Sequence, residues 1–148
     1  MQKVMFDCNA FSKLLQLSDW QEFIAKARTK YELCVSSIQV EELAQIPDSK
    51  MEIRIQHILA LCEMKATVVP TAVVMGHGRL GFCAFADEND TTYEDLLNES
   101  RNNIHDAMIG DAAKREGCLL ITNDGRFEKK LCRNGIETMS FEDFSATI

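Results

Sequence analysis

The stretch that most narrows the fold of this chain runs from Asn103 to Phe127, N-I-H-D-A-M-I-G-D-A-A-K-R-E-G-C-L-L-I-T-N-D-G-R-F. It reads as a helix carrying Asp106, a stop at Gly117, a short apolar strand from Cys118 to Ile121, and Thr122-Asn123-Asp124 where that strand ends. An ionised carboxylate taken out of water costs several kcal/mol or shifts its pKa, so acids beside buried elements call for partners.

The start of the chain repeats the motif. Lys3-Val4-Met5-Phe6 is a short apolar strand ending in Asp7, and Phe11, Leu14 and Leu15 then recur at helical spacing. In open α/β sheets, sites form at the carboxyl ends of strands, which is where Asp7 falls. Ser18-Asp19 predicts a helix cap, followed by an apolar stripe of Trp20, Phe23, Ile24 and Ala27, and Leu33-Cys34-Val35 reads as a second strand.

Ser36-Ser37-Ile38-Gln39 is a capping box, which predicts a helix running to about Ile46, before Pro47. Its phase separates two adjacent acids. Glu42 shares a stripe with Ile38 and Ile46 and points inward, whereas Glu41 shares its stripe with Ser37 and Gln45 and points to water. Met51, Ile55, Ile58, Leu59 and Cys62 predict a further helix with a core-facing stripe, and Ala66 to Val69 a third strand closed by Pro70.

Residues 71–90 read as an irregular loop or hairpin insertion. They contain Gly76-His77-Gly78-Arg79-Leu80-Gly81, which formally matches a dinucleotide fingerprint, but no long helix follows to present its N-terminus to a pyrophosphate. Thr91 or Thr92 is the expected cap of a helix through Leu96 and Leu97.

Asp7, Glu42, Asp106 and Asp124 thus have one sheet edge at which to converge. Left bare, such a cluster repels itself, so it implies a cation. Oxygen-only ligation suits Mg²⁺ or Mn²⁺, and the chemistry it supports is metal-assisted phosphodiester hydrolysis. Asp111 is a tempting fifth acid, but five residues at about 100° each turn it about 140° round the helix from Asp106. The net charge of −7 argues against broad electrostatic capture of nucleic acid, though not against a nuclease whose acids hold metal. The 148 residues fit one domain, 1–148. The six spread cysteines suggest neither a zinc site nor a disulfide framework. No charged-then-apolar leader opens the chain and no apolar run approaches a membrane span, so the expectation is a soluble, cytoplasmic protein.

The order strand-Asp7, then Val35-Ser36 with Glu42-Leu43, then Asp106-Ala107-Met108-Ile109, then Leu120-Ile121-Thr122-Asn123-Asp124 and Phe127, resembles the PIN-domain family over nearly the whole chain. The resemblance implies a three-layer α/β/α fold with a central parallel sheet of four to five strands. It also implies a divalent-metal-dependent ribonuclease with Asp7, Glu42, Asp106 and Asp124 as ligands, direct or through water. For small bacterial members it implies the toxin of a virulence-associated type II toxin-antitoxin pair, with a cognate antitoxin and a homodimer as partners.

Thr122 and Asn123 are candidates for orienting those carboxylates. His57, His77 and His105 show no zinc spacing and read as surface or satisfied histidines. Arg126, Lys129, Lys130 and Arg133 form a basic group after the site that offers RNA phosphates a contact or simply a solvated face. Two alternatives compete. One is a catalytically silent PIN-like interaction module. The other is a haloacid-dehalogenase-like phosphatase, which wants a second acid two residues after the first and then Gly-Thr, where this chain has Asn9-Ala10.

Overall fold

Val4, Met5 and Phe6 are all buried, so the strand they form has no polar face. Such a strand needs cover on both sides, the signature of a parallel sheet between helical layers. In the computed structural model of the chain, which describes residues 1–72, 83–84, 90–98 and 104–148, this strand is β1 (Gln2–Phe6) at the centre of the sheet. The elements that follow are α1 (Cys8–Gln16), α2 (Trp20–Lys30), β2 (Tyr31–Ser36), α3 (Ser37–Gln45), a 3-10 turn (Asp48–Lys50), α4 (Met51–Met64) and β3 (Thr67–Val69). Next come β4 (Thr71–Ala72), β5 (Cys83–Ala84), α5 (Thr92–Asn98), α6 (Ile104–Glu116), β6 (Leu119–Ile121), α7 (Gly125–Arg133), β7 (Thr138–Met139) and α8 (Phe141–Ser145).

The main sheet has five strands in the order β3-β2-β1-β6-β7, every pair parallel. Val4, Phe6, Leu33, Leu119 and Ile121 pack one face against Leu14, Ile24, Ala60 and Phe144 of α1, α2, α4 and α8. Met5, Cys34 and Leu120 pack the other against Ile38, Leu96, Met108, Ile109 and Leu131 of α3, α5, α6 and α7. This is the expected three-layer α/β/α architecture. Gly110 sets how closely α6 approaches its layer: a Cβ there would lie 2.8 Å from Leu96 Cδ1 and 2.9 Å from Leu131 Cδ2. Gly117, at φ +63°, turns the chain out of α6 in a conformation that favours glycine.

Three local expectations change. The stripe of α4 that looked like core faces out: Met51, Ile55, Ile58 and Leu59 are 41–53 % exposed and Cys62 is exposed too. The inward face is His57, Ala60, Leu61 and Met64, where the small Ala60 lets the helix sit close against the core. Glu41 does not simply point to water, since it is half-buried with Oε1 enclosed and without a hydrogen-bond partner. Asp19 occupies the start of α2 without a side-chain capping bond. In the segment from 71 to 90, Thr71–Ala72 and Cys83–Ala84 pair in parallel. The glycine fingerprint from Gly76 to Gly81, with His77, lies outside the described residues.

Candidate metal centre

The chain leaves β1 for β2 and β3 on one side of the sheet and returns to β6 and β7 on the other, so strand order reverses between β1 and β6. The carboxyl ends of strands at such a switch point form the natural ligand crevice of an open α/β sheet. Asp7 and Thr122 are the residues that follow β1 and β6, and the backbone N–H of Asp7 donates to the Ile121 carbonyl at 2.9 Å.

Asp7 is 4 % exposed and caps α1, its Oδ1 accepting from the Ala10 N–H at 2.6 Å. Its Oδ2 accepts from the Thr122 hydroxyl at 2.5 Å. Burial pushes the carboxyl above its ordinary range, the bonds from Ala10, Thr122 and Asn9 pull it back, and the charge of Asp124 adds to the rise. The buried Thr122 also accepts from the Asp124 N–H at 3.1 Å, so one hydroxyl joins both aspartates. Asp124 itself caps α7, Oδ1 accepting from Arg126 N at 2.8 Å and Phe127 N at 3.1 Å. The turn role that Asn-Asp-Gly suggests is thus real, and it leaves the carboxylate at the edge beside Asp7.

Glu42 arrives from the other side. The capping box is present as expected, and the Gln39 amide donates to the Phe6 carbonyl at 2.6 Å, tying α3 to the end of β1. Three residues on, Glu42 Oε2 accepts from the Cys8 thiol at 3.0 Å and Oε1 from His105 Nδ1. Burial, and then Glu42 itself, push the Cys8 thiol up, which keeps it a donor. Asp106 follows His105 in the first turn of α6 and is half-buried.

The chain therefore brings together Asp7 with Asp124 through Thr122, and Glu42 with the neighbours of Asp7 and Asp106. Among the described residues, no three His, Cys, Asp or Glu side chains stand close enough to hold one ion in this arrangement. The donor chemistry nevertheless fits a hard divalent cation. The hydrogen bonds to buried Asp7 come from neutral groups, and each carboxylate oxygen keeps acceptor capacity beyond one bond.

Asn123 departs from the expected orienting role. Its Nδ2 donates to Glu142 Oε2 at 2.5 Å and its Oδ1 accepts from the Phe141 N–H at 3.0 Å, so both ends of the amide are taken by α8. Lys13 and Asn123 together hold the Glu142 carboxyl down to about 2. Asp111 is buried on the far side of α6, 3.3 Å from Arg115, whose Nη2 donates to the Pro70 carbonyl at 2.9 Å. The contributors missed by sequence reasoning are Cys8 and His105. Their one available signal was adjacency to Asp7 and Asp106, because neither lies in a ligand pattern.

Beside Asp124, a groove of about 900 Å³ is lined by polar side chains from α1 and α7, among them Lys13, Gln16 and Arg126. All six cysteines are free. Among the described residues no helix is long and apolar enough to cross a membrane.

A parallel five-stranded α/β/α fold with carboxylates at its switch point defines a class, and the comparisons give that class a family. Residues 4–130 match the PIN domain, and the chain belongs to that family, whose members are generally metal-dependent nucleases. The crystal structure of PAE2754 from Pyrobaculum aerophilum superposes with a TM-score of 0.59 at 11 % identity, covering 99 % of this chain and 96 % of that one. A domain of a functionally unknown protein from Methanocaldococcus jannaschii DSM 2661 gives 0.55 at 21 % identity, covering 95 % and 91 %. At these identities the likeness is one of fold alone. No curated protein matches the chain.

Proposed function

We propose that the chain is a divalent-metal-dependent endoribonuclease working as a single domain over 1–148, with Asp7, Glu42, Asp106 and Asp124 as metal ligands. The observation that carries this is Asp7: a carboxylate buried at the switch point, raised by desolvation and hydrogen-bonded by neutral groups. A carboxylate in that condition gains most from a cation. Bound Mg²⁺ or Mn²⁺ supplies a water of lowered pKa and charge stabilisation at the phosphoryl oxygens.

Within this reading Thr122 fixes Asp7 against Asp124, while Cys8 and His105 hold the two oxygens of Glu42. Arg126, in the groove beside Asp124, supplies a phosphate contact for RNA despite the overall acidic balance, while Lys13 in the same groove is paired with Glu142. The phosphatase alternative falls with the family assignment. A silent interaction module is the second reading, favoured by the acids standing short of metal-holding distance.

The toxin role, a cognate antitoxin and a cytoplasmic location belong to the same proposal and rest on the family resemblance. A homodimer does too, and the exposed apolar face of α4 offers it a surface. Titration with Mg²⁺ or Mn²⁺ followed by RNA cleavage tests the enzyme. Metal-dependent cleavage lost in Asp7→Asn and Asp106→Asn is expected, and cleavage indifferent to metal or to both substitutions sinks the proposal. Mass in solution across a range of concentrations tests the dimer, and co-purification with the product of a neighbouring small reading frame tests the antitoxin.

A further inference from the structure

Ser12 of α1 belongs to two cavities at once. On one side lies the polar groove with Lys13, Arg126 and Asp124. On the other, a more enclosed cavity of about 190 Å³ has the ends of β1 and β2 among its lining, with Phe6, Cys34 and Val35, and helix residues such as Phe11, Leu43 and Leu61 around them. Cys8 and Glu42 line this second cavity as well, so it flanks Asp7 and shares a wall with the proposed metal centre.

We propose that the enclosed cavity is a nucleobase pocket that takes a pyrimidine, cytosine by preference, from an RNA strand whose phosphates follow the adjoining polar groove. The inference rests on the nuclease reading for its substrate class. Four features carry it.

The first is size: about 150 Å³ of aliphatic and aromatic lining suffices for a benzene ring, so about 190 Å³ admits a single substituted ring and crowds a purine. The second is the lining, in which Phe11 and His57 lie 5.5 Å apart and offer ring surface to a planar guest.

The third is the hydrogen-bond inventory. The Ser12 hydroxyl spends its proton on the Cys8 carbonyl, and the Cys8 thiol spends its proton on Glu42. His57 Nδ1 faces the Ile53 carbonyl at 2.7 Å, and since a carbonyl only accepts, Nδ1 carries a proton, which in the neutral tautomer makes Nε2 an acceptor. Ser12 and Cys8 retain acceptor capacity, as does the neutral tautomer of His57, while the Gln39 amide in the same lining donates to the Phe6 carbonyl through one of its two N–H bonds. Acceptors beside a donor suit the exocyclic amine and N3 of cytosine and oppose the carbonyl and N3–H of uracil. An apolar peptide side chain would leave those acceptors unmatched.

The fourth is continuity. A nucleotide is a charged phosphate joined to a flat, largely apolar base, and the two adjoining cavities divide in the same way.

The test uses the whole chain in EDTA, titrated separately with cytidine 5′-monophosphate and uridine 5′-monophosphate and followed by backbone amide shifts. The cytidine nucleotide is expected to move the amides of Phe11, Leu43 and Leu61 and to bind about five- to tenfold more tightly, the size of one hydrogen bond's discrimination. Leu61→Phe, which fills the cavity without touching the acids, removes that response, and Leu43→Phe repeats the experiment should the first variant fail to fold. With Mn²⁺ and a randomised single-stranded RNA, cytosine is enriched beside the cut and the enrichment flattens in Leu61→Phe. Equal response to the two nucleotides, shifts confined to the Lys13–Arg126 groove, or a cavity that answers only to an apolar peptide overturns the pocket. Cytidine binding in a protein that cleaves no RNA supports the pocket and overturns the nuclease reading; cleavage with no base bias does the reverse.

Discussion

Asp7 and Asp111 are both buried aspartates, 4 % and 2 % exposed, and burial raises the carboxyls of both. They differ in what answers their charge. Asp111 has Arg115 one helical turn along at 3.3 Å, a cation written into the same helix. Asp7 is hydrogen-bonded by a backbone N–H and the Thr122 hydroxyl, both neutral. Arg115 answers the charge of Asp111, although Asp111 Oδ2 and Arg115 Nε and Nη1 are enclosed without a hydrogen bond, whereas neutral donors at a strand's carboxyl end satisfy the oxygens of Asp7 and leave its charge without a cation. Local burial does not separate the two; the partner does.

The sharpest way to break this contrast is to neutralise each acid in turn. Asp7→Asn keeps a good helix cap and the side-chain shape, so it is expected to fold and to lose metal-dependent RNA cleavage by roughly 10²–10⁴-fold. Asp111→Asn is expected to stay within about twofold of the parent, because Asp111 lines neither of the two cavities described beside Asp7 and Asp124. Initial rates on one labelled RNA, with Mn²⁺ saturating, decide it. Comparable losses in both variants would put Asp111 into the active site and erase the distinction.

A second substitution sharpens the Asp7 side. Thr122→Val removes the hydroxyl that donates to Asp7 and accepts from the Asp124 N–H while keeping the volume. Partners that orient metal-ligating groups typically matter 10–100-fold in affinity or activity, so Mn²⁺ affinity is expected to fall by roughly that factor. Thr122→Ser restores the hydroxyl and is expected to recover most of the loss. Calorimetric titration with Mn²⁺ reads this without reference to cleavage, and equal affinities in Thr122→Val and the parent would reduce Thr122 to packing.

How far the sequence carried depends on whether a feature was local. The apolar run before Asp7 and the capping box at Ser36 are decided by adjacent residues, and both appear where expected. The phase that set Asp111 apart from Asp106 is likewise a property of one helix. Features decided by a neighbouring element were not legible. Periodicity in α4 identifies two stripes, but only the approach of the core determines that His57, Ala60, Leu61 and Met64 face in while the larger apolar stripe stays out. Glu41 and Glu42 differ in phase as expected, yet both are half-buried because α3 lies deep enough in its layer to enclose one Glu41 oxygen. Asn123 belongs to α8 rather than to the acids, since the turn after β6 passes the start of that helix. His105 enters through a contact 63 residues away in sequence.

If Asp7 lacks a cation and Asp111 has one, added metal acts on the first region alone. Mn²⁺ at about 100 times its Kd is expected to stabilise the parent by about 2.7 kcal/mol, or roughly 5–10 °C in Tm for a chain of this size. Asp7→Asn is expected to lose most of that shift, and Asp111→Asn to keep it. Thermal melts with and without the metal measure it; a parent whose Tm ignores Mn²⁺ points to the silent module.

The smallest effect is the pH dependence without metal, where the two aspartates act alike. A carboxyl whose folded pKa lies above its ordinary 3.8 holds its proton more tightly in the folded state. Its contribution to stability therefore rises as pH falls from neutrality through the folded pKa and levels off below 3.8. Glu142 runs the opposite way: held down to about 2 by Lys13 and Asn123, it favours the fold above its ordinary 4.5 and loses that contribution as the pH drops toward 2. Above the ordinary 4.5 of Glu142, in EDTA, only the aspartates are in play among these three. The Tm of the parent is expected to gain on that of the Asp7→Asn, Asp111→Asn double variant as the pH falls. Saturating Mn²⁺ should remove the Asp7 part of the gain, because a bound cation lowers that carboxyl's pKa, and leave the Asp111 part. A gain that survives metal undiminished would mean that Asp7, like Asp111, does not take up the cation.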